Sequence, residues 1–136
     1  MKFGDINAAL VELYQSAQTG LPTYWPSVNY DPPANQPHAR AFFLTNQPIP
    51  SSVGTGGLDA NTGILQINLM YPDGEGIGNA VAMADTISQT FVGGTITTHN
   101  AQQVHILSCG IRQPDNADGW LRLIVSINWV AYVARE

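Results

Sequence analysis

The stretch Gly63-Ile64-Leu65-Gln66-Ile67-Asn68-Leu69-Met70-Tyr71-Pro72 runs into Asp73-Gly74-Glu75-Gly76-Ile77-Gly78 and then into a segment that closes on Phe91. In the first ten residues the odd positions Leu65, Ile67, Leu69 and Tyr71 are all apolar, while the even ones mix Ile64 and Met70 with Gln66 and Asn68. That period of two predicts a strand with one dry face. After the glycine turn, Ile77, Ala80, Val81, Ala84, Ile87, Ser88 and Phe91 recur at helical spacing. The stripe is made mostly of small side chains, which lets a helix sit close on a sheet. One β-α unit is expected here, and the rest of the chain is read outward from it.

A strand, a glycine loop and a helix in that order also raise phosphate binding. The dinucleotide fingerprint needs G-x-G-x-x-G, and after Gly74 and Gly76 the third glycine is replaced by Asn79. No Walker pattern is present. Asp73 and Glu75 put carboxylates where phosphate would sit, and no Lys or Arg occurs between Arg40 and Arg112. The residues fit a plain turn between strand and helix.

With 136 residues the chain is expected to form one domain, residues 1–136, able to bury a core without staples. One cysteine excludes an intramolecular disulfide. Neither a signal peptide nor a membrane span of about 20 apolar residues is read, so a soluble protein made in a reducing cytoplasm is expected. Charged residues are only 11% of the chain, well below the usual quarter, which suggests that much of the surface is covered by something. The balance is acidic, five basic side chains against ten acidic, and disfavours general adhesion to nucleic acid or anionic membranes.

In chain order, a first helix is expected to start at an Asp5 N-cap, present Ile6, Ala9, Leu10, Leu13 and Ala17 on one face, and stop at Gly20. Residues 21–37 hold five of the nine prolines with Tyr24, Trp25 and Tyr30, which predicts an extended arm anchored by aromatics, with Trp25-Pro26 as a short edge piece. Residues 38–46 are apolar on both parities and read as a strand buried on both sides. Residues 47–62 lack either period and hold Pro48, Pro50, Gly54, Gly56 and Gly57. So long a connection suggests a mobile arm that reaches a neighbour, with Ser51, Ser52, Val53, Gly54, Thr55, Gly56, Gly57 and Leu58 as its contact residues. A small hairpin is expected over residues 95–109, and a polar turn over residues 112–119. Residues 120–134 give the longest strand signal, with Leu121, Leu123, Val125, Ile127, Trp129, Ala131 and Val133 on one parity.

The order predicts an α+β fold, a mainly antiparallel sheet with two helices packed on one face. The other face would carry Ile64, Gln66, Asn68, Met70, Arg122, Ile124, Ser126, Asn128, Val130 and Tyr132. That set is too apolar to be left in water, so these ten residues are the expected oligomer interface.

The sequence assembles no active site. Cys109 and His105 are four apart on one strand, about 13 Å between Cα atoms, too far for a nucleophile and its base. His99, His105 and Cys109 lack zinc-site spacing. Asp73 with Glu75, and Asp115 with Asp118, read as turn formers rather than paired acids or cation ligands. Trp120 and Trp129 differ in parity and make no base-stacking platform. No catalytic, cofactor-binding or metal residue is assigned.

The order of features resembles the phage tail-terminator-like proteins, the family typified by the lambda minor tail protein U. The likeness rests on the amphipathic first helix, the Trp25-Pro26 arm, the run from Gly63 to Gly76 leading into a helix with Ala84-Asp85 and Phe91, and a last strand with Trp120 and Asn128-Trp129. It implies a subunit of a hexameric ring on the tail tube of the virion, facing the head-proximal connector. Its partners would be copies of itself, the tube protein and a connector or head-completion protein, with DNA only passing through the lumen and no membrane. The resemblance implies no enzyme, cofactor or metal. The contrasting class is a small ligand-binding or enzymatic α+β domain using the turn at Gly74 to Gly78. A ring subunit accounts for the low charge and the apolar second face, whereas the small domain accounts only for the turn.

Overall fold

The computed structural model describes residues 3–26, 29–30, 36–46, 48–50, 57–74, 77–112, 114–117 and 119–134. In chain order these form α1 (Phe3–Ser16), β1 (Thr23–Tyr24), β2 (His38–Thr45), β3 (Ile49–Pro50), β4 (Leu58–Pro72), α2 (Gly78–Thr90), β5 (Ile96–His99), β6 (Gln102–Ile111), β7 (Asp115–Ala117) and β8 (Trp120–Ala134). The strands make one sheet in the order β1-β2-β4-β8-β6-β5, with β3 added to β4 and β7 to β8.

The sheet is built on two 15-residue strands, β4 and β8, which pair antiparallel from Leu58↔Ala134 to Pro72↔Trp120 without a break. Because the register sets 65 against 127 and 67 against 125, the apolar parities of both strands fall on one face. There Leu65, Ile67, Leu69, Leu123, Val125, Ile127 and Trp129 are buried with Ala39 and Ala41 from β2 and Val104 and Ile106 from β6. Both helices cover this face. Ile6, Ala9, Leu10 and Tyr14 of α1, and Ala80, Ala84 and Ile87 of α2 with Phe91, join the same core cluster. Thr97 Oγ1 of β5 donates to the Ala9 carbonyl at 3.2 Å and ties α1 to the sheet edge.

Two close approaches shape the sheet. Gly63 lies opposite Trp129, and a Cβ there would sit 2.6 Å from Trp129 Cζ2 and 2.6 Å from the Leu44 carbonyl oxygen. Glycine leaves the space the indole fills. In β6 the register against β8 shifts between Ile106 and Ser108, so Leu107 is an extra residue. Gly93 is packed on this bulge, where a Cβ would meet the Leu107 carbonyl oxygen at 2.7 Å. The bulge reverses parity, turning Ile106 and Cys109 to the core although they are three positions apart.

Several expectations are corrected. The sheet is mixed and not purely antiparallel, because β1 pairs with β2 in parallel, Thr23↔Ala39 and Tyr24↔Arg40, while the other pairings are antiparallel. The arm from residue 21 leaves α1 on the side where it runs alongside β2, and β1 is Thr23–Tyr24, just before the expected Trp25-Pro26 piece. Helix α1 begins at Phe3, which places Asp5 in its first turn, where a carboxylate faces the positive end of the helix dipole. The strand β2 is not buried on both faces: His38, Ala39 and Ala41 are, but Arg40 and Leu44 are exposed. Residues 47–62 are not one loop, since Ile49 and Pro50 pair with Ala60 and Asp59 and the residues from Leu58 onward belong to β4. The strand pattern is hidden there because Asn61, a polar residue, occupies a buried position on the core parity. Of the expected contact loop, Gly57 precedes β4 and Leu58 opens it, while Ser51 to Gly56 lie outside the described residues. The expected turn at 112–119 contains β7, paired with the start of β8.

Gly63→Ala is expected to destabilise the protein by about 2 kcal/mol, since the added methyl must displace both an indole and a backbone carbonyl. Urea unfolding of the two proteins measures it. A change below about 0.5 kcal/mol would show that Trp129 moves aside freely.

Candidate assembly surface

The face turned away from the helices is built from the even positions of β4 and β8. Cross-strand partners Ile64↔Asn128, Gln66↔Ser126, Asn68↔Ile124 and Met70↔Arg122, with Val130 opposite Thr62 and Tyr132 opposite Ala60, place all ten expected residues on it. The register also brings residues that the sequence did not assign. From β2, His38, Arg40, Phe42 and Leu44 stand opposite Met70, Asn68, Gln66 and Ile64. From β6, His105 stands opposite Val130. An arginine among alternate positions of β2 was the available signal, since an unpaired cation does not belong on a buried face.

The face has three zones. At the end formed by Leu58 and Ala134 it is apolar, with Ile49 62% and Tyr132 47% exposed beside Leu44, Ile64 and Val130. The middle is polar: Gln66 Nε2 donates to Asn68 Oδ1 at 3.0 Å, Asn128 Nδ2 donates to Ser108 Oγ at 2.9 Å, and Ser126 Oγ is buried with no hydrogen-bond partner among the described residues. At the far end Arg122 donates from Nε and Nη2 to the two Asp115 oxygens at 3.0 and 2.6 Å. These hydrogen bonds hold the Asp115 carboxyl below the usual carboxylate range and raise the Arg122 guanidinium above its own.

The aromatic arm crosses the edge of β2 and grips both faces. Trp25 stacks on Phe43 and meets Tyr14 edge-on at 5.5 Å, on the core side. Tyr24 and Tyr30 lie on the other side around His38, which Trp120 also meets edge-on at 4.8 Å. His38 is fully buried. Its Nδ1 is 3.2 Å from the Gln36 carbonyl, which can only accept, so Nδ1 carries the proton and Nε2 accepts from the Tyr30 hydroxyl at 2.7 Å. Arg40 lies over the Tyr30 ring at 4.3 Å and within 5.1 Å of the Phe42 ring.

His105 and Cys109 do not form an acid-base pair on this surface. The bulge sends His105 to the open face and Cys109 to the core, so these two cannot act together, and burial pushes the Cys109 thiol up, away from the thiolate. Trp120 and Trp129 lie on opposite faces, as their parity predicts. Asp73 Oδ1 caps the Gly74 N–H at 3.0 Å, a turn-forming role. Glu75, Gly76 and Asp118 lie outside the described residues. A cleft of about 270 Å³ at the end of α1, lined by Tyr14, Gln18, Gly20, Leu21, Thr23 and Trp25, holds no charged side chain among the described residues.

Against known families, the model for "Phage tail terminator protein" matches residues 5–129. The chain belongs to the phage tail terminator protein family, and its role is a structural one in a phage tail. One solved structure is 21% identical over 96% of both chains, with a TM-score of 0.77. Another, a chain from the virion of a native gene transfer agent particle, is 14% identical over 96% of both chains, with a TM-score of 0.65. These two share the fold. Comparison with curated proteins gave no match.

Burial holds the His38 imidazole below the usual value of about 6.5, against the opposing pull of the Gln36 carbonyl. The unfolded chain therefore takes up this proton first as pH falls. Stability at the arm is complete above about pH 6.5 and declines below it. Urea midpoints measured between pH 7.5 and 5 should fall more steeply in the native protein than in His38→Gln. Equal slopes would mean that His38 stays as easily protonated in the fold as out of it.

Proposed function

We propose that the protein forms a ring, of six copies, that covers the growing end of a phage tail tube, stops its growth and presents that end to a head-proximal connector. The family match over residues 5–129 carries this reading. The likeness to a chain of a gene transfer agent virion is in keeping with it. In this reading residues 1–136 act as one tail-terminator-like domain of the lambda U type. The protein sits in the tail-neck region of the virion after assembly in the host cytoplasm.

A tube made of stacked rings keeps an open, self-complementary end, which goes on recruiting subunits until a surface of matching symmetry covers it. A ring that is unlike the tube on its far side would end that growth. The open sheet face, with its apolar zone and a buried Ser126 Oγ that has no hydrogen-bond partner among the described residues, supports contact between copies. The tube protein and a connector or head-completion protein would then meet the two rims. A net charge of -5 suits a lumen through which DNA slides without adhering. No enzymatic step, cofactor or membrane enters the function.

Deleting the gene should leave full heads beside unjoined tails, with tubes of irregular or excessive length by electron microscopy. Normal joined virions from the deletion would overturn the proposal. Within the ring, Ile124→Asp places a charge at the centre of the open face and should cost several kcal/mol of assembly while the subunit stays folded, read by native mass and circular dichroism. Normal assembly of that variant would put the contact between copies elsewhere.

A further inference from the structure

Two rows on opposite sides of the sheet match each other, and all their residues are exposed except the half-buried Phe42. On the open face, β2 presents Leu44, Phe42 and Arg40 in line, two residues apart, over about 13 to 14 Å. On the helical side, Ile77, Val81 and Asp85 are spaced by four residues along the outer face of α2, over about 12 Å. The Val81 N–H donates to the Ile77 carbonyl at 3.0 Å, so Ile77 shares the helical spacing. Ile77 and Val81 belong to the apolar stripe read from the sequence, yet both are exposed, whereas Ala80, Ala84 and Ile87 fill the core. One row reads apolar, aromatic, cation; the other reads apolar, apolar, anion.

The charges at the ends of the rows are placed for a partner. Arg40 makes no ion pair with a described residue, in contrast to Arg122, which Asp115 occupies. Its guanidinium lies over the rings of Tyr30 and Phe42, so little side-chain freedom is left to lose on binding. The Asp85 carboxylate is exposed and likewise makes no ion pair with a described residue. The exposed Gly78, Asn79 and Ala82 beside the α2 row are short, which permits close approach to a sheet.

We infer that α2 of one copy lies along β2 of the next, Ile77 and Val81 against Leu44 and Phe42, and Asp85 against Arg40. This rests on the proposed ring and names its contact. The two rows are different surfaces on opposite sides of the same subunit, so the contact is head-to-tail, the kind that closes a ring. The cation and anion at one end fix the direction in which the helix lies.

The test is a charge swap in the full chain: Arg40→Glu, Asp85→Arg, and the two together, each checked for folding by circular dichroism. Assembly is followed by native mass and sedimentation, and each variant is also used to complement the gene deletion. Each single variant should weaken assembly at least about tenfold and fail to yield joined virions, and the double variant should restore both. Single variants that assemble as the native protein does would overturn the contact, even if virions fail, since the row would then meet the tube or connector protein. A double variant that stays folded and unassembled would overturn it too. If the native protein forms no closed oligomer, alone or recovered from tails, the ring reading falls and takes this contact with it; a ring indifferent to the swap removes the contact alone.

Discussion

The unbroken pairing of β4 with β8 is the constraint on which the other elements depend. Strands β2 and β3 pair with β4, strands β6 and β7 with β8, and α2 rests on both long strands. Each buried leucine, isoleucine or valine on these strands contributes about 1.5 to 3 kcal/mol. A slip of one residue would turn a strand's entire set to the open face, so the register cannot drift. Trp129 opposite Gly63 pins it further, because a neighbouring residue with a Cβ would not admit the indole.

The second dependence is the arm between α1 and β2. A strand at the side of a sheet usually has one packed face and one wet face. Here Trp25 closes the core side against Tyr14 and Phe43, while Tyr24 and Tyr30 close over His38 on the other. A fully buried imidazole is tolerated because both ring nitrogens have partners. The same arrangement lays Tyr30 under Arg40, so the aromatic packing also orients a surface cation.

Sequence pattern made the long strands and α2 legible because their alternation is uninterrupted from Gly63 to Pro72 and across residues 120–134. It placed the ten expected residues on one face for the same reason. It failed where a polar residue serves the core: Asn61 breaks the apolar parity at the start of β4 and disguised a strand as a loop. It failed again at β2, where aliphatic and aromatic side chains on both parities hid that Phe42 and Leu44 face outward with Arg40. The bulge at Leu107 is invisible to any fixed period, so the opposite orientations of His105 and Cys109 emerged only from the pairing with β8. Ile77 and Val81 were read as core because helical spacing reports a stripe and not which neighbour covers it.

The outermost strands of the sheet are unusually short. β1 has two residues and β5 has four, against about five or six in an ordinary strand. An incoming chain seeking to extend the sheet would find few backbone hydrogen bonds at either of them, and at β1 it would also meet the neighbouring prolines Pro22 and Pro26. Growth by strand addition at these two strands, which has no natural end and leads to fibres, is thereby discouraged. Any contact the subunit makes is thereby directed to its faces, where geometry can close, and away from β1 and β5, where it cannot.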